Sequence, residues 1–219
     1  MCSRADGASG LNTALRPARS NNAEIGARMR GGQQAVALAI FSSRTRDELV
    51  VASNTGGRST YSNAASSKRN GWELSASGPV SHRWDYALAY SRLDASYASA
   101  FATCRAPPCQ QPDTLIAQGN RIPATAAQSA WAQLRWNPRE DVDWFVQAHA
   151  IGRIYADDAN SAHAPGHATV DVGVERRWTL AGVSLQAFGR IDNLFDRNVL
   201  GSVIVNDSNG RYFEPAPGR

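Results

Sequence analysis

Two groups of side chains in this 219-residue chain carry types and spacings that could do chemistry. Cys104 and Cys109 bracket Arg105-Ala-Pro-Pro108 in a polar stretch. So tight a pair reads best as a loop disulfide formed in an oxidising compartment, with half of a zinc site as the alternative. No second cysteine pair or spaced histidine set accompanies it, and Cys2 is the remaining cysteine. His163 and His167 follow Asp157 and Asp158, a nitrogen and carboxylate set that a metal can use. They lie in a polar stretch without a fixed scaffold, where solvated loop residues are the plainer account. There is no Gly-x-Ser-x-Gly elbow, phosphate-binding glycine loop or His-Glu-x-x-His helix, so neither an enzyme nor a cofactor is expected.

Charge narrows the partners. The net charge is +4, but Lys68 is the single lysine and the arginines are scattered through every segment. Nucleic-acid binders gather their cations into a stripe or motif, so no nucleic-acid partner is expected. Met1 to Leu11 has no apolar h-region or cleavage pattern, so no signal peptide is read there.

The elements that must position these residues are strands. Hydrophobic residues make up 42% of the chain, yet no apolar run is long enough for a membrane helix. Instead, apolar residues alternate with polar ones. Val36, Leu38 and Ile40 share one parity, as do Trp72, Leu74 and Ala76, then Trp84, Tyr86, Leu88 and Tyr90. The pattern continues through Ala130 to Trp136, Val142 to Ala148, Val170 to Val174 and Val183 to Ile191. With Glu24 to Arg30 these give about eight strands, each near the roughly ten residues a tilted strand needs to cross a membrane.

Connections of two lengths separate them. Arg30 to Gln33, Gly78-Pro79-Val80, Asn137 to Asp141 and Leu180-Ala181-Gly182 are tight-turn signals. Arg44 to Tyr61, Arg92 to Asn120 and Gly152 to His167 are long and polar. Short alternating with long predicts an all-β, antiparallel up-and-down transmembrane β-barrel segment with periplasmic turns and extracellular loops. Trp72, Trp84, Trp136, Trp144 and Trp178 are expected beside the short turns as an interfacial belt. The rival is a soluble secreted β-sandwich binding module with the same tryptophans in its core.

Three stretches then resemble one family in its own order. Leu15-Arg-Pro-Ala-Arg-Ser-Asn-Asn-Ala-Glu-Ile-Gly26 is similar to a strand entry in the C-terminal half of TonB-dependent outer-membrane receptors. Tyr61-Ser-Asn63 with Arg69-Asn-Gly-Trp-Glu-Leu74 resembles their next strand, and Asn193-Leu194-Phe195-Asp196 their penultimate-strand motif. Gly201 to Arg219, Gly119-Asn-Arg-Ile-Pro123 and Ala156-Asp-Asp-Ala-Asn160 look closest to the pyrroloquinoline-quinone-uptake branch.

The resemblance implies residues 1–19 as a loop remnant and 20–219 as the C-terminal third of a barrel of about 22 strands, its final strand missing. No plug domain is read in the sequence. The implied location is the cell outer membrane. The implied partners are its lipid, the absent plug and N-terminal strands, TonB through the absent N-terminal region, and a scarce small-molecule ligand such as a siderophore, a metal chelate or the quinone. Transport by the chain alone is not expected. Because such receptors bind ligand among their outer loops, Arg153, Asp157, Asp158, Arg211 and Tyr212 are the candidate ligand-binding residues. An anionic ligand would suit the two arginines, whose guanidinium groups grip carboxylates in a fork. For each residue the plainer alternative is a loop or lumen side chain paired with a neighbour.

Overall fold

In a strand, successive side chains point to opposite faces, so period-two hydrophobicity separates an apolar from a polar face. The computed structural model, which describes residues 15–55, 58–104 and 112–219, shows that separation across the short-turn part of its main sheet. In chain order the strands are β1 (Arg19–Gly31), β2 (Gln34–Thr55), β3 (Arg58–Ser81), β4 (Trp84–Tyr97), β5 (Phe101–Thr103), β6 (Thr114–Ile116) and β7 (Gln128–Arg139). There follow β8 (Val142–Ile151), β9 (Ile154–Tyr155), β10 (His163–Ala164), β11 (His167–Leu180), β12 (Val183–Ile191), β13 (Leu200–Val203) and β14 (Phe213–Pro215).

Eight of these form one antiparallel sheet, in the order β1-β2-β3-β4-β7-β8-β11-β12. The remaining six make three two-stranded hairpins. Each strand of the large sheet pairs with the next one along the chain, as an up-and-down order requires. The sheet is open at β1 and β12. Among the described residues the other sheets are two-stranded, so no second broad sheet faces it, and no helix is long and apolar enough to cross a membrane. The sandwich alternative is therefore set aside.

Register carries the faces across the sheet. The row Val36, Ala76, Leu88, Ala132, Ala148, Val170 is apolar, and so is the row Leu38, Leu74, Tyr90, Ala130, Ala150, Ala168. Leu38, Val36, Leu134, Val146, Trp144 and Ile40 are 40% to 53% exposed, so the protein itself does not cover this face. The opposite, concave face carries rows such as Arg28, Ala37, Ser75, Ala89, Trp131, His149, Thr169. Two glycines there accommodate cross-strand aromatics. A Cβ on Gly173 would lie 2.2 Å from Phe145 Cζ, and one on Gly71 would lie 2.6 Å from Phe41 Cζ and 2.4 Å from the Arg92 carbonyl oxygen.

Several sequence expectations shift in detail. The four short connections are two-residue turns at 32–33, 82–83, 140–141 and 181–182. Gly78, Pro79 and Val80 lie inside β3 and not in a turn, and a register shift between Pro79 and Ser81 accommodates the proline. Arg44 to Tyr61 is not a long loop. β2 and β3 run on as 22- and 24-residue strands, because backbone pairing does not require apolar side chains. Trp72 is not beside a short turn. It sits ten residues from that end, against Tyr90 with ring centroids 4.9 Å apart, while Trp84, Trp136, Trp144 and Trp178 line the short-turn end. Six residues separate Tyr90 from Trp84 in β4, about 20 Å along the strand, close to the height of a membrane-barrel apolar band.

A small core closes the long-loop end. Val50, Ala64, Ala95, Tyr97, Ile116 and Ile122 are buried there, with Leu93 and Phe101 against them.

Candidate functional site

The long connections do not hang free. Residues 119–127 run beside β4, with Gly119 and Ile122 donating backbone hydrogen bonds to the Tyr97 and Ala95 carbonyls at 2.9 and 3.1 Å. Tyr97 ends the strand almost wholly buried, its ring edge-on to Phe101. The Tyr97 hydroxyl donates to Asp158 Oδ1 at 2.5 Å, which pulls the 152–166 connection onto β4.

Three segments converge on Asp158, two of them on its carboxylate. Asn120 Nδ2 donates to the Asp158 carbonyl at 2.9 Å. Asn206 Nδ2 donates to Asp158 Oδ2 at 2.9 Å and to the Val51 carbonyl, while Asn206 Oδ1 accepts from the Asp158 backbone at 3.1 Å. Beside them the Arg121 backbone donates to Asn160 Oδ1 at 2.6 Å, and Asn160 Nδ2 returns a bond to the Arg121 carbonyl at 2.9 Å. Gly119 to Pro123, Ala156 to Asn160 and the run after Gly201, far apart in the chain, thus meet at one place.

The two acids are already occupied. Asp157 accepts from the Ser161 backbone at 2.8 Å, the Ser161 hydroxyl at 2.5 Å and the Ala162 backbone at 3.0 Å, and so shapes its own loop. Burial pushes the Asp158 carboxyl above its ordinary range, and the charge of Asp157 adds to this. The hydrogen bonds from Tyr97 and Asn206 oppose the rise without cancelling it. Tyr97 is in turn pushed upward by burial and then by the Asp158 charge.

A cleft of about 270 Å³ opens over this junction, lined by Asp157, Asp158 and Tyr212 together with Cys104, Ile116 and Asn206. Three of the five candidate ligand residues are therefore gathered. Arg153 and Arg211 are exposed and do not line the cleft, and the Arg211 backbone donates to Asp207 Oδ2 at 2.8 Å. Cys104 is disulfide-bonded. Cys109 and Cys2 lie outside the described residues. His163 stands edge-on to Tyr155 in the β9-β10 hairpin, and among the described residues no three potential metal ligands are clustered.

The remaining motif residues shape turns. Asn193, φ 49°, is buried, and its side chain bonds Arg197 at both ends, donating to the carbonyl at 2.8 Å and accepting from the amide at 3.0 Å. Its own amide donates to Asp171 Oδ1 at 2.8 Å. Leu194 donates its amide to the Val170 carbonyl, Phe195 is 67% exposed, and Asp196 accepts from the Arg219 amide at 3.2 Å. Asn63 bonds both the amide and the carbonyl of Arg16, at 2.8 and 2.9 Å, clasping the first motif to the second. Arg69 pairs with Glu48 at 2.9 Å, and Ser67 donates to the same carboxylate. Sequence reasoning missed Tyr97, Asn120 and Asn206 as partners of the acids. It also missed Glu48.

Comparison with known proteins adds what geometry does not. A family profile described as TonB dependent receptor-like, beta-barrel matches residues 3–194. The probable TonB-dependent siderophore receptor PiuA of Acinetobacter baumannii is 29% identical over 140 residues, which is 63% of this chain and 18% of that protein. The chain therefore spans less than a fifth of that relative's length. The crystal structure of PiuA superposes with a TM-score of 0.70 at 23% identity, covering 91% of this chain and 27% of that one. The copper transporter OprC gives a TM-score of 0.68 at 14% identity, with 94% of this chain and 30% of that one covered. The unliganded ferric citrate transporter FecA gives 0.68 at 14%, over 91% and 30%.

Proposed function

We propose a function from the premise that this chain belongs to the TonB-dependent receptor-like β-barrel family. It supplies barrel wall and outer loops to an energy-coupled uptake receptor of the outer membrane. The apolar face meets lipid, the short-turn end faces the periplasm and the loop cluster faces outward. Its family is one of receptors, not enzymes.

The observation that carries this reading is the convergence of three loop segments on Asp158 at the outward end of a sheet whose apolar face the protein leaves bare. One network holds the loops into a cleft, and the bare face needs a membrane. Tyr212 and the outer parts of Asp157 and Asp158 would meet the ligand, with Arg153 and Arg211 at the approaches. Within the uptake class, relatives named as siderophore receptors favour a siderophore or another metal chelate. Pyrroloquinoline quinone, suggested by the loop motifs, is a second ligand to test. Cys104 would pair with Cys109 to shape the loop above the cleft. The plug, the other strands and TonB would be supplied by the rest of a receptor.

The test is a fluorescence titration of the detergent-refolded chain with ferric catecholate, ferric hydroxamate and the quinone. Saturable binding of one, weakened by Asn206→Ala, supports the reading. No binding by any of them removes the ligand-facing role.

A further inference from the structure

At the short-turn end, three side chains gather that neither sheet pairing nor the outer cleft uses. Arg139 ends β7, Asp141 lies in the following turn and Arg176 lies in β11. Register sets Arg139 beside Val142 and Val142 beside Arg176, on the same face as Trp136, Trp144 and Val174. Asp141 Oδ1 accepts from Arg139 Nε at 3.0 Å, and Oδ2 accepts from Arg176 Nε at 3.1 Å. Two cations share one anion, and the group carries a net positive charge.

The pairing is asymmetric in a useful way. Each guanidinium spends its Nε on Asp141, and among the described residues no hydrogen bond uses the Nη atoms of either. The two side chains remain 68% and 57% exposed. Arg177, the next residue in β11 but on the concave face, is neutralised by both Asp143 and Glu175. The contrast leaves Arg139 and Arg176, which share one carboxylate, as an under-neutralised pair on the apolar face. Asp141 is held ionised. Burial pushes its carboxyl up, but the charge of Arg139 and the hydrogen bond from Arg176 prevail and hold it below its ordinary range.

Depth supplies the second half of the site. Trp136 and Trp144 pair one row inward, and Arg176 lies 5.9 Å from the Trp178 ring centroid. Trp178 stands two residues nearer the turn than Arg176 on the same face, so the paired forks of N–H donors have indole rings on both sides. A phosphate held by the forks would keep its glycerol and acyl chains against those rings.

We propose that Arg139 and Arg176, set by Asp141, hold the phosphate of an anionic glycerophospholipid in the leaflet at the short-turn end. The free Nη groups present the two-pronged geometry that phosphate oxygens accept. This rests on the membrane reading above and goes beyond it, since family membership says nothing of a fixed lipid.

The experiment uses the full chain in phosphatidylcholine vesicles doped with phosphatidylglycerol brominated on its acyl chains, reading tryptophan quenching. The expected quenching exceeds that set by the bulk mole fraction of the doped lipid by about fivefold. Arg139→Gln with Arg176→Gln should return it to the bulk value. Arg139→Lys with Arg176→Lys keeps the charge and loses the fork, and should do nearly the same. Arg28→Gln, on the concave face, should change nothing. Full enrichment in the lysine pair would reveal diffuse attraction and overturn the site, as would absence of enrichment in the unaltered chain. Displacement by equimolar inorganic phosphate would also overturn it, in favour of a soluble-anion site. Absence of quenching even by brominated phosphatidylcholine would overturn the membrane reading and the lipid site with it.

Discussion

Asn206, φ 51°, shows how one residue can tie together the long-loop end of the sheet. Its side chain reaches Val51 and Asp158 while its backbone amide donates to the Ala156 carbonyl, so it joins β2 to the 152–166 connection. Asn206→Ala leaves the buried Asp158 short of a donor and should cost about 2 kcal/mol locally. Limited proteolysis of the 152–166 connection would show faster cleavage. Two acids at this end respond to pH in opposite directions. Burial raises Glu48, but hydrogen bonds from Arg69 and Ser67 outweigh it and hold the carboxyl below its ordinary range. Its contribution is therefore complete at neutral pH and lost as pH falls through the lowered value. Asp158 lies above its ordinary 3.8, so its contribution is present below that value and lost as pH rises through the raised one. Hydrogen exchange, corrected for intrinsic rates, should show residues 156–162 loosening as pH rises above the ordinary 3.8. Asp158→Asn should abolish that trend while leaving the acid sensitivity near Glu48. Asp157 and Asp158 were read in the sequence as candidates, whereas Glu48 was not. The partners of Asp158 were not legible, because Tyr97 lies 61 residues from it and local spacing carries no trace of such a contact.

Strands and turns were more legible, since each is written by neighbours in the chain. Alternation located seven of the eight sheet strands, with Glu24 to Arg30 added ahead of them, and three of the four proposed turn segments contain the turn. The misplacements have physical causes. Pro79 looks like a turn residue but sits in a bulged strand end, where its missing N–H costs little. The outer halves of β2 and β3 look like loop because polar residues dominate there, apart from a few such as Val50 and Ala64 that enter the small core, although their backbones stay paired. The aromatic-over-glycine contacts were invisible, since each joins two strands. They yield a discriminating pair of variants. Gly173→Ala should cost about 1 to 3 kcal/mol through collision with Phe145, and Phe145→Ala should relieve much of that collision in a double-mutant cycle. At Gly71 the new Cβ also meets the Arg92 carbonyl at 2.4 Å, so Phe41→Ala should not rescue Gly71→Ala. Thermal unfolding in detergent would separate the two. The Ala181-Gly182 turn has φ of 51° and 79°, a geometry alanine adopts poorly. Ala181→Asn should therefore stabilise that hairpin by about 0.5 kcal/mol.

For the whole molecule, the bare apolar face and the two open edges set the behaviour. In water without detergent the chain should aggregate, because exposed apolar surface and unpaired strand edges both recruit other chains. Detergent or lipid should cover the face but leave the edges, so light scattering in micelles should still fall when strands that cap β1 and β12 are supplied. The family and the sheet could be read from the sequence because their motifs recur in a fixed order. The lipid-facing cations could not, because their meeting depends on register between β7, β8 and β11. The strand order has a further consequence. Since every strand of the large sheet pairs with its successor, a cut at any two-residue turn divides the sheet cleanly into earlier and later strands and breaks one ladder only. Genes encoding such walls can thus exchange, duplicate or lose hairpins as whole units, with every surviving pair keeping its partner. Recombination at the short turns would alter the outer loops while sparing the architecture that displays them.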